Sequence, residues 1–288
     1  MLLEFKAKNY KSFKEELVFS LVPAPKQKGL DYSILEEKIG RKTYKGLSTA
    51  VIYGANAAGK TNIVGAMDSF KSIVLRGNIR NDKDKKTPNI AAGALELIPN
   101  NTLTEIKPVS FYIKFIEQEL LIEYSFSLDL GNFLDVNYKR KIIEESLKIN
   151  DKMLFSREKE LELGNLNIII DYLVNDFNDG VTAVAKSNLN EEELFLMNGF
   201  KTMFSTKIVS LISEWLSNKF MVVYRADSMQ LIHKFEEPKK ESVYIEKHIS
   251  EVAKLFGINS NDLGYVADEE NKVYVYIRQG KVFRKMTY

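Results

Sequence analysis

The sequence contains no cysteine, which excludes disulfide bonds, thiolate nucleophiles and zinc sites built on cysteine. It contains only two histidines, His233 and His248, and their spacing does not match a pair of metal ligands. No apolar run approaches the roughly 20 residues that a membrane-spanning helix requires, and the N-terminus lacks the layout of a signal peptide. From these absences we expect a cytoplasmic protein with no membrane partner and no histidine-based catalysis.

Positively and negatively charged residues are nearly equal in number. The 41 lysines and arginines nearly balance the 39 aspartates and glutamates, which leaves a formal net charge of +2. A balance this close does not by itself predict binding to nucleic acid. The hydrophobic content of 45% and the charged content of 28% are ordinary for a soluble globular protein. A chain of 288 residues can form one large domain or two modest ones.

The clearest motif is a glycine-bounded loop that lies between an apolar run and a predicted helix. The apolar run is Thr49–Tyr53, the loop from residue 54 to 61 reads Gly-Ala-Asn-Ala-Ala-Gly-Lys-Thr, and the pattern over Asn62–Lys71 predicts a helix. The glycines permit a tight turn and a close approach of the backbone. The loop N–H groups and the N-terminus of the helix would then cradle an anion. The pattern therefore predicts a third strand that delivers a phosphate-binding loop.

The residue types in this loop indicate which atoms would bind the ligand. Lys60 would reach the β- and γ-phosphates of a nucleoside triphosphate, and the Thr61 hydroxyl would bind Mg²⁺. The alternative is a chance match in an ordinary loop, which the flanking strand and helix disfavour. The candidate binding residues are Gly54, Ala55, Asn56, Ala57, Ala58, Gly59, Lys60, Thr61 and Asn62.

The patterns around the loop predict an α/β fold. Leu3, Phe5 and Ala7 alternate with charged residues, which predicts an opening strand, and Glu16–Leu21 predicts a second strand. Residues 107–157 show period-two alternation with turn residues between the runs, which predicts an antiparallel meander. The aromatic stripe of this meander is expected to be core rather than a platform for stacked bases.

Beyond the meander the pattern changes. Residues 190–220 are predicted to be helical, with an apolar stripe from Ile208 to Leu216 that includes Trp215. Phe220–Tyr224 predicts a short buried strand, and Ser242–Phe256 predicts a helix. We therefore divide the chain into three parts. They are a nucleotide-binding lobe with its meander (1–175), a mainly helical insertion (176–262) and a final β-hairpin (263–288).

Two stretches of the sequence together resemble a known family. The turn Asn9–Phe13 after the first strand and the motif Val51–Asn62 look like the N-terminal lobe of ABC-type ATPase heads, the heads of SMC, RecF and OLD-like proteins. The motif resembles, more specifically, the AAA-family ATP-binding proteins of prokaryotic phage-defence and abortive-infection systems. Two later stretches, Lys107–Phe115 and Met153–Arg157, resemble that group more loosely. In such heads the basic residue of the first turn approaches the phosphates, which adds Lys11 and Ser12 to the candidate site.

The resemblance implies ATP and Mg²⁺ as cofactors and a homodimer of heads around two ATP molecules. Such heads also carry a Walker B carboxylate, a glutamate that positions water and a signature loop in a C-terminal lobe. Leu166–Asp171 is a poor match to a Walker B strand, and Tyr172 stands where the glutamate would follow. We therefore expect an incomplete head that ends before these motifs, leave its catalytic residues unassigned, and expect ATP hydrolysis only with a C-terminal lobe.

The resemblance also implies a role in phage defence or DNA transactions. The head would gate a partner effector such as a nuclease or a toxin, and DNA would be contacted through the assembled complex. A different class of function is a nucleotide sensor or assembly scaffold that has lost hydrolysis. A P-loop kinase or a GTPase is disfavoured because no base-recognition motif or arginine-rich lid is visible. The basic cluster Asn81–Lys86 is either a solvated loop or a contact to a phosphate backbone.

Overall fold

The computed structural model describes two compact units, Met1–Tyr224 and Arg225–Tyr288. The described residues are 1–25, 29, 31–55, 58–80, 97–100, 102, 105–131, 138–174 and 179–223, together with the backbone of four strands after residue 243. The predicted boundaries at residues 175 and 262 stay a prediction, because a division into compact units does not show where the functional parts of the chain begin and end. No helix in the described part of the chain is both long and apolar enough to cross a membrane.

The first unit is built on antiparallel sheets. The strands are β1 (Leu2–Lys8), β2 (Leu17–Ser20), β3 (Ile34–Ile39), β4 (Lys42–Leu47), β5 (Val109–Glu117), β6 (Leu120–Asp129), β7 (Lys141–Ile149), β8 (Lys152–Arg157) and β9 (Leu161–Leu163). Seven of them form one sheet in the order β2–β1–β5–β6–β7–β8–β9, and β3 pairs with β4 in a separate hairpin. The α/β class and the predicted meander are confirmed, since β5 to β8 are joined as successive antiparallel neighbours.

Local residue chemistry explains the meander. Phe111, Ile113 and Phe115 are buried on one face of β5, while Tyr112 and Lys114 between them are partly exposed.

The turn from β5 to β6 consists of Gln118 and Glu119, and the turn from β7 to β8 consists of Asn150 and Asp151. All four of these residues have positive φ, between 48° and 64°. Two residues with positive φ are what a tight hairpin needs to match the twist of its strands.

Helices cover the apolar face of the seven-stranded sheet. They are α1 (Lys60–Arg76), a 3₁₀ helix (Leu166–Tyr172), α2 (Asp179–Ser187), a π-helical turn (Leu196–Phe200), a short helix (Lys201–Met203), α3 (Thr206–Glu214) and a second π-helical turn (Trp215–Lys219). Phe70 of α1 packs against Phe5 and Phe126, with ring centroids 5.8 and 5.4 Å away. Trp215 stacks on Phe115 of β5 at 3.9 Å. The predicted helix after the loop is confirmed and is longer than expected.

Several sequence predictions for this unit are wrong. Thr49–Tyr53 forms no strand, and neither does Phe220–Val223, where Met221 is 74% exposed. An apolar run becomes a strand only where a neighbouring strand pairs with it, and no described strand pairs with either segment. The β3–β4 hairpin was missed because its charged residues obscure the alternation. The sequence feature that could have revealed this hairpin is Gly40, which adopts a φ of 59° at the turn.

The described strands of the second unit form a four-stranded antiparallel sheet. Its strands, in spatial order, are β10 (Tyr244–Ile245), β11 (Asp262–Ala267), β12 (Val273–Gln279) and β13 (Val282–Lys285). The predicted final hairpin is confirmed by the pairing of β12 with β13. Tyr244 and Ile245 were predicted to be helical and instead form β10. The rest of that predicted helix, and both histidines, lie outside the described residues.

A buried carboxylate joins the meander to the helical layer. Glu145 of β7 accepts hydrogen bonds from the backbone N–H groups of Phe195 and Leu196, at 2.7 and 2.8 Å. It also accepts one from the Tyr124 hydroxyl at 2.8 Å, and Arg157 lies 3.7 Å away. Burial raises the pKa of Glu145 above its ordinary value, although these four partners act in the opposite direction. The carboxylate thus supplies acceptors for a helical start that would otherwise be buried without them.

The variant Glu145→Gln tests this connection. Its amide N–H₂ would replace one carboxylate oxygen and face the N–H of Phe195 or Leu196, and Arg157 would lose its counter-charge. We expect the free energy of unfolding, measured by urea denaturation, to fall by about 3 kcal/mol. The control Glu144→Gln changes the exposed neighbour in the same strand and should cost less than about 1 kcal/mol. Equal losses in the two variants would contradict the proposed role of Glu145.

Candidate functional site

The candidate site lies where the glycine-bounded loop enters α1. The helix begins at Lys60, and Gly59 immediately before it has φ 88° and ψ 7°, the left-handed conformation that glycine adopts without strain. Among the described residues, no side chain caps this end of the helix. The backbone N–H of Asn62 donates to the Gly59 carbonyl at 2.9 Å. A helix start of this kind favours an anion, because its first N–H groups have no acceptor in a preceding helical turn.

The Lys60 side chain is folded back into its own loop. Its Nζ donates hydrogen bonds of 2.7 Å to the carbonyl oxygens of Gly54 and Ala55. This holds the ammonium group against the first two carbonyl oxygens of the loop, while the Lys60 backbone begins α1. Thr61 is exposed in the first turn of α1, and its predicted contact with Mg²⁺ stays a prediction. Asn56 and Ala57, at the tip of the predicted loop, lie outside the described residues.

The N-terminal turn Tyr10–Phe13 lies against the phosphate loop. The turn is closed by two backbone hydrogen bonds, from Tyr10 N–H to Phe13 O at 3.0 Å and from Phe13 N–H to Tyr10 O at 2.8 Å. Ser12 is exposed at its tip, and its Oγ accepts a hydrogen bond of 2.8 Å from Asn62 Nδ2. A Cβ atom at Gly59 would lie only 2.6 Å from the same oxygen. The structure thus brings Ser12 and the loop together, and a contact between Ser12 and phosphate stays a prediction.

Lys11 stands in the same turn but its side chain has another neighbour. Its Nζ lies 5.4 Å from the centre of the Tyr10 ring, a cation–π distance. The Tyr10 hydroxyl in turn lies 3.0 Å from Ser69 Oγ of α1 in the buried core. The turn is therefore anchored on the helix that begins at the loop. A contact between Lys11 and phosphate remains a prediction.

Sequence reasoning missed the residues that shape this turn. Asn9 is 2% exposed and Asn100 is 7% exposed, and their side chains bond the turn and its neighbouring segment. The sequence signal for both residues was weak, because asparagine is common in turns and loops. Its tolerance of positive φ is a reason to consider asparagine where a chain bends sharply.

The stretch that partly matched a Walker B strand is not a strand. Leu166–Tyr172 is a 3₁₀ helix, and Asp171 is exposed, with its carbonyl oxygen 3.1 Å from Lys207 Nζ. This agrees with the poor match of Leu166–Asp171 to a Walker B strand. Among the residues whose placement is described, no three histidine, aspartate or glutamate side chains gather into a group that could hold a metal ion. The basic cluster Asn81–Lys86 lies outside the described residues.

The apolar run before the loop is unusually exposed. Val51 is 78% exposed, Ile52 is 40% exposed and Tyr53 is 90% exposed. These are β-branched and aromatic residues of the kind that occupy strands. Within the described part of the chain no strand pairs with them, so the segment has the composition of a strand without its partners.

Comparison with known proteins agrees with the loop geometry. Residues 50–181 match the family model described as "AAA domain, putative AbiEii toxin, Type IV TA system". The matched region contains the loop, all of α1 and the meander through β9. No curated protein and no solved structure gives a significant match to the chain. The family match supports an AAA-type P-loop ATPase and implies that this part of the chain binds nucleotide.

Proposed function

We propose that this protein is the ATP-binding lobe of an OLD/SMC-like ATPase and that it binds Mg-ATP at residues 54–62. The observation that carries the proposal is the position of Lys60, which begins the 17-residue helix α1 and whose ammonium group bonds to the Gly54 and Ala55 carbonyls. A cation beside the N-terminus of a helix suits a polyphosphate. Thr61, the next residue, would place its hydroxyl on Mg²⁺.

Binding would use groups that are already in place. Lys60 would exchange its two carbonyl acceptors for phosphate oxygens, which form stronger, charge-assisted hydrogen bonds. Gly59 lets the backbone approach closely, and the bond from Asn62 to Ser12 holds the N-terminal turn beside the loop. Little reorganisation is then needed outside the loop itself, and this favours affinity. Mg²⁺ would neutralise the negative charge between the β- and γ-phosphates.

We further propose that the lobe is completed by a second lobe, from this protein or from another chain. The exposed run Val51–Tyr53 supports this, because a strand from the second lobe would cover it. The second lobe would supply the Walker B carboxylate, the catalytic glutamate and the signature loop, so hydrolysis depends on it. Two heads would enclose two ATP molecules and gate a partner effector in the cytoplasm of a prokaryote. The toxin system named in the matched family description favours a defence role over other DNA transactions.

A second candidate function is a nucleotide sensor or scaffold that binds ATP without hydrolysing it. The 3₁₀ conformation of Leu166–Tyr172 favours this candidate, because the stretch offers no strand-borne carboxylate to the loop. The two functions differ in one measurable property. A sensor would show no ATP turnover above background in the complete assembly, whereas an ATPase head would show turnover that requires Lys60.

Replacing Lys60 by alanine tests the site directly. We expect isothermal titration with Mg-ATP to show affinity about 10- to 100-fold weaker than that of the unmodified chain, because charge-assisted bonds to phosphate are lost. The control Lys207→Ala removes an exposed lysine that also donates to a backbone carbonyl, and it should bind like the unmodified chain. Equal affinity of the Lys60 variant, or no binding by the unmodified chain, would contradict the proposal.

The variant Gly59→Ala tests the conformation of the loop. A side chain at φ 88° is strained by roughly 1–2 kcal/mol, and its Cβ would also collide with Ser12 Oγ. We expect a lower melting temperature and weaker Mg-ATP binding. Gly40→Ala is a matched control, because Gly40 has φ 59° but open space around it. It should lower the melting temperature and leave the affinity unchanged; weakened binding in this variant would refute the local explanation.

A further inference from the structure

The N-terminal turn contains two non-glycine residues in the left-handed conformation. Asn9 has φ 53° and Lys11 has φ 49°. Asparagine tolerates this region, but a lysine there is strained by roughly 1–2 kcal/mol. Strain of this kind persists only where the surroundings hold the backbone in place, and it concentrates at functional sites.

Two buried asparagines, Asn9 and Asn100, hold the turn in this shape, and we refer to them as the asparagine clamp. The backbone N–H of Asn100 donates to the backbone oxygen of Asn9 at 3.2 Å and to its Oδ1 at 3.1 Å. Asn9 Nδ2 donates to the Lys107 carbonyl at 2.6 Å. Asn100 Nδ2 donates to the Lys11 carbonyl at 2.7 Å, and Lys11 N–H donates to Ile98 O at 2.9 Å. The backbone N–H and the backbone carbonyl of the strained Lys11 are therefore both hydrogen-bonded.

The clamp determines what the turn presents to the phosphate loop. Immediately after the clamped Lys11, Ser12 projects its hydroxyl toward Asn62, and it leaves no room for a side chain at Gly59. If Lys11 relaxed to a negative φ, the direction of the chain would change at the residue before Ser12. The contact between turn and loop would then be lost, although β1 and α1 could keep their places in the core.

We propose that the asparagine clamp is a positioning device for the nucleotide site, in which Asn9 and Asn100 hold Lys11 and Ser12 against the phosphate loop. This inference rests on the proposed Mg-ATP site. Neither Asn9 nor Asn100 is itself a candidate nucleotide-binding residue, and both act through the turn that they hold. They tie a segment before the matched family region to a segment inside it, so the complete site is larger than the glycine-bounded loop.

The test compares nucleotide affinity with stability in Asn100→Ala and Asn100→Leu. Leucine fills the space of asparagine without its hydrogen bonds, so the two variants separate a cavity from lost bonding. We expect Mg-ATP affinity about tenfold weaker in both, measured well below the melting temperature, where the chain is folded. The control Asn165→Ala removes an exposed cap, whose side chain accepts from Asn167 N–H at 3.0 Å. It should bind Mg-ATP like the unmodified chain.

A double-mutant cycle separates positioning from a purely structural role. If the clamp acts through the turn, Asn100→Ala should weaken binding much less in a chain that already carries Lys11→Ala and Ser12→Ala. A purely structural role predicts the same loss of affinity in both backgrounds, which would overturn the proposal. If the Asn100 variants do not fold, Asn9→Gly replaces them, because glycine accepts the positive φ without strain but lacks the amide. Unchanged affinity in that variant would also overturn the proposal.

The comparison with Lys60→Ala separates the two hypotheses. If the unmodified chain binds Mg-ATP, Lys60→Ala binds it more weakly, and the folded Asn100 variants bind like the unmodified chain, then the proposed site is supported and the clamp proposal fails. If the unmodified chain does not bind Mg-ATP, the site and the clamp proposal fail together. Weakened binding in the Asn100 variants, with unchanged binding in Asn165→Ala, supports both.

Discussion

The packing of Phe70 against the sheet is the interaction on which the candidate site depends. This ring lies in the middle of α1 and contacts aromatic side chains from β1, β5 and β6, including a stacked contact with Phe126. Burying a phenylalanine contributes about 2–3 kcal/mol, and favourable ring geometry adds to it. Because the helix is fixed at its centre, its first residue has a fixed place relative to β1. The turn that follows β1 and the loop that precedes α1 therefore meet.

The site is thus assembled from two parts of the chain by one aromatic core. Tyr10 extends that core to the turn through its bond to Ser69, and the asparagine clamp sets the backbone between them. Lys60 needs no such support, since its own loop supplies both of its acceptors. This difference suggests a division of roles. The loop chemistry is local and contained in eight residues, whereas the geometry around it depends on contacts between distant segments.

That division also explains what the sequence could predict. Glycines, a lysine and a hydroxyl at fixed spacing identify the loop, and alternation identifies the meander, because both signals are local. The strand expected at Thr49–Tyr53 is not formed, because strand formation depends on a pairing partner that the run itself does not specify. The roles of Asn9 and Asn100 were not predictable either. They depend on a contact across 91 residues of sequence, and no single-sequence pattern records such a contact.

The buried carboxylate of Glu145 has a consequence for how the chain can be divided. Its two backbone donors belong to Phe195 and Leu196, twenty residues beyond the predicted end of the nucleotide-binding lobe. A fragment ending at residue 175 would keep the carboxylate and Arg157 but lose those donors and the aromatic rings of Phe195 and Phe200 that cover Phe155. The meander and the helical layer are therefore joined by contacts that a cut at residue 175 would break. If evolution exchanged the meander or the helical layer between proteins, the exchange would have to keep the Glu145 carboxylate. Otherwise it would have to replace the carboxylate and its backbone donors together.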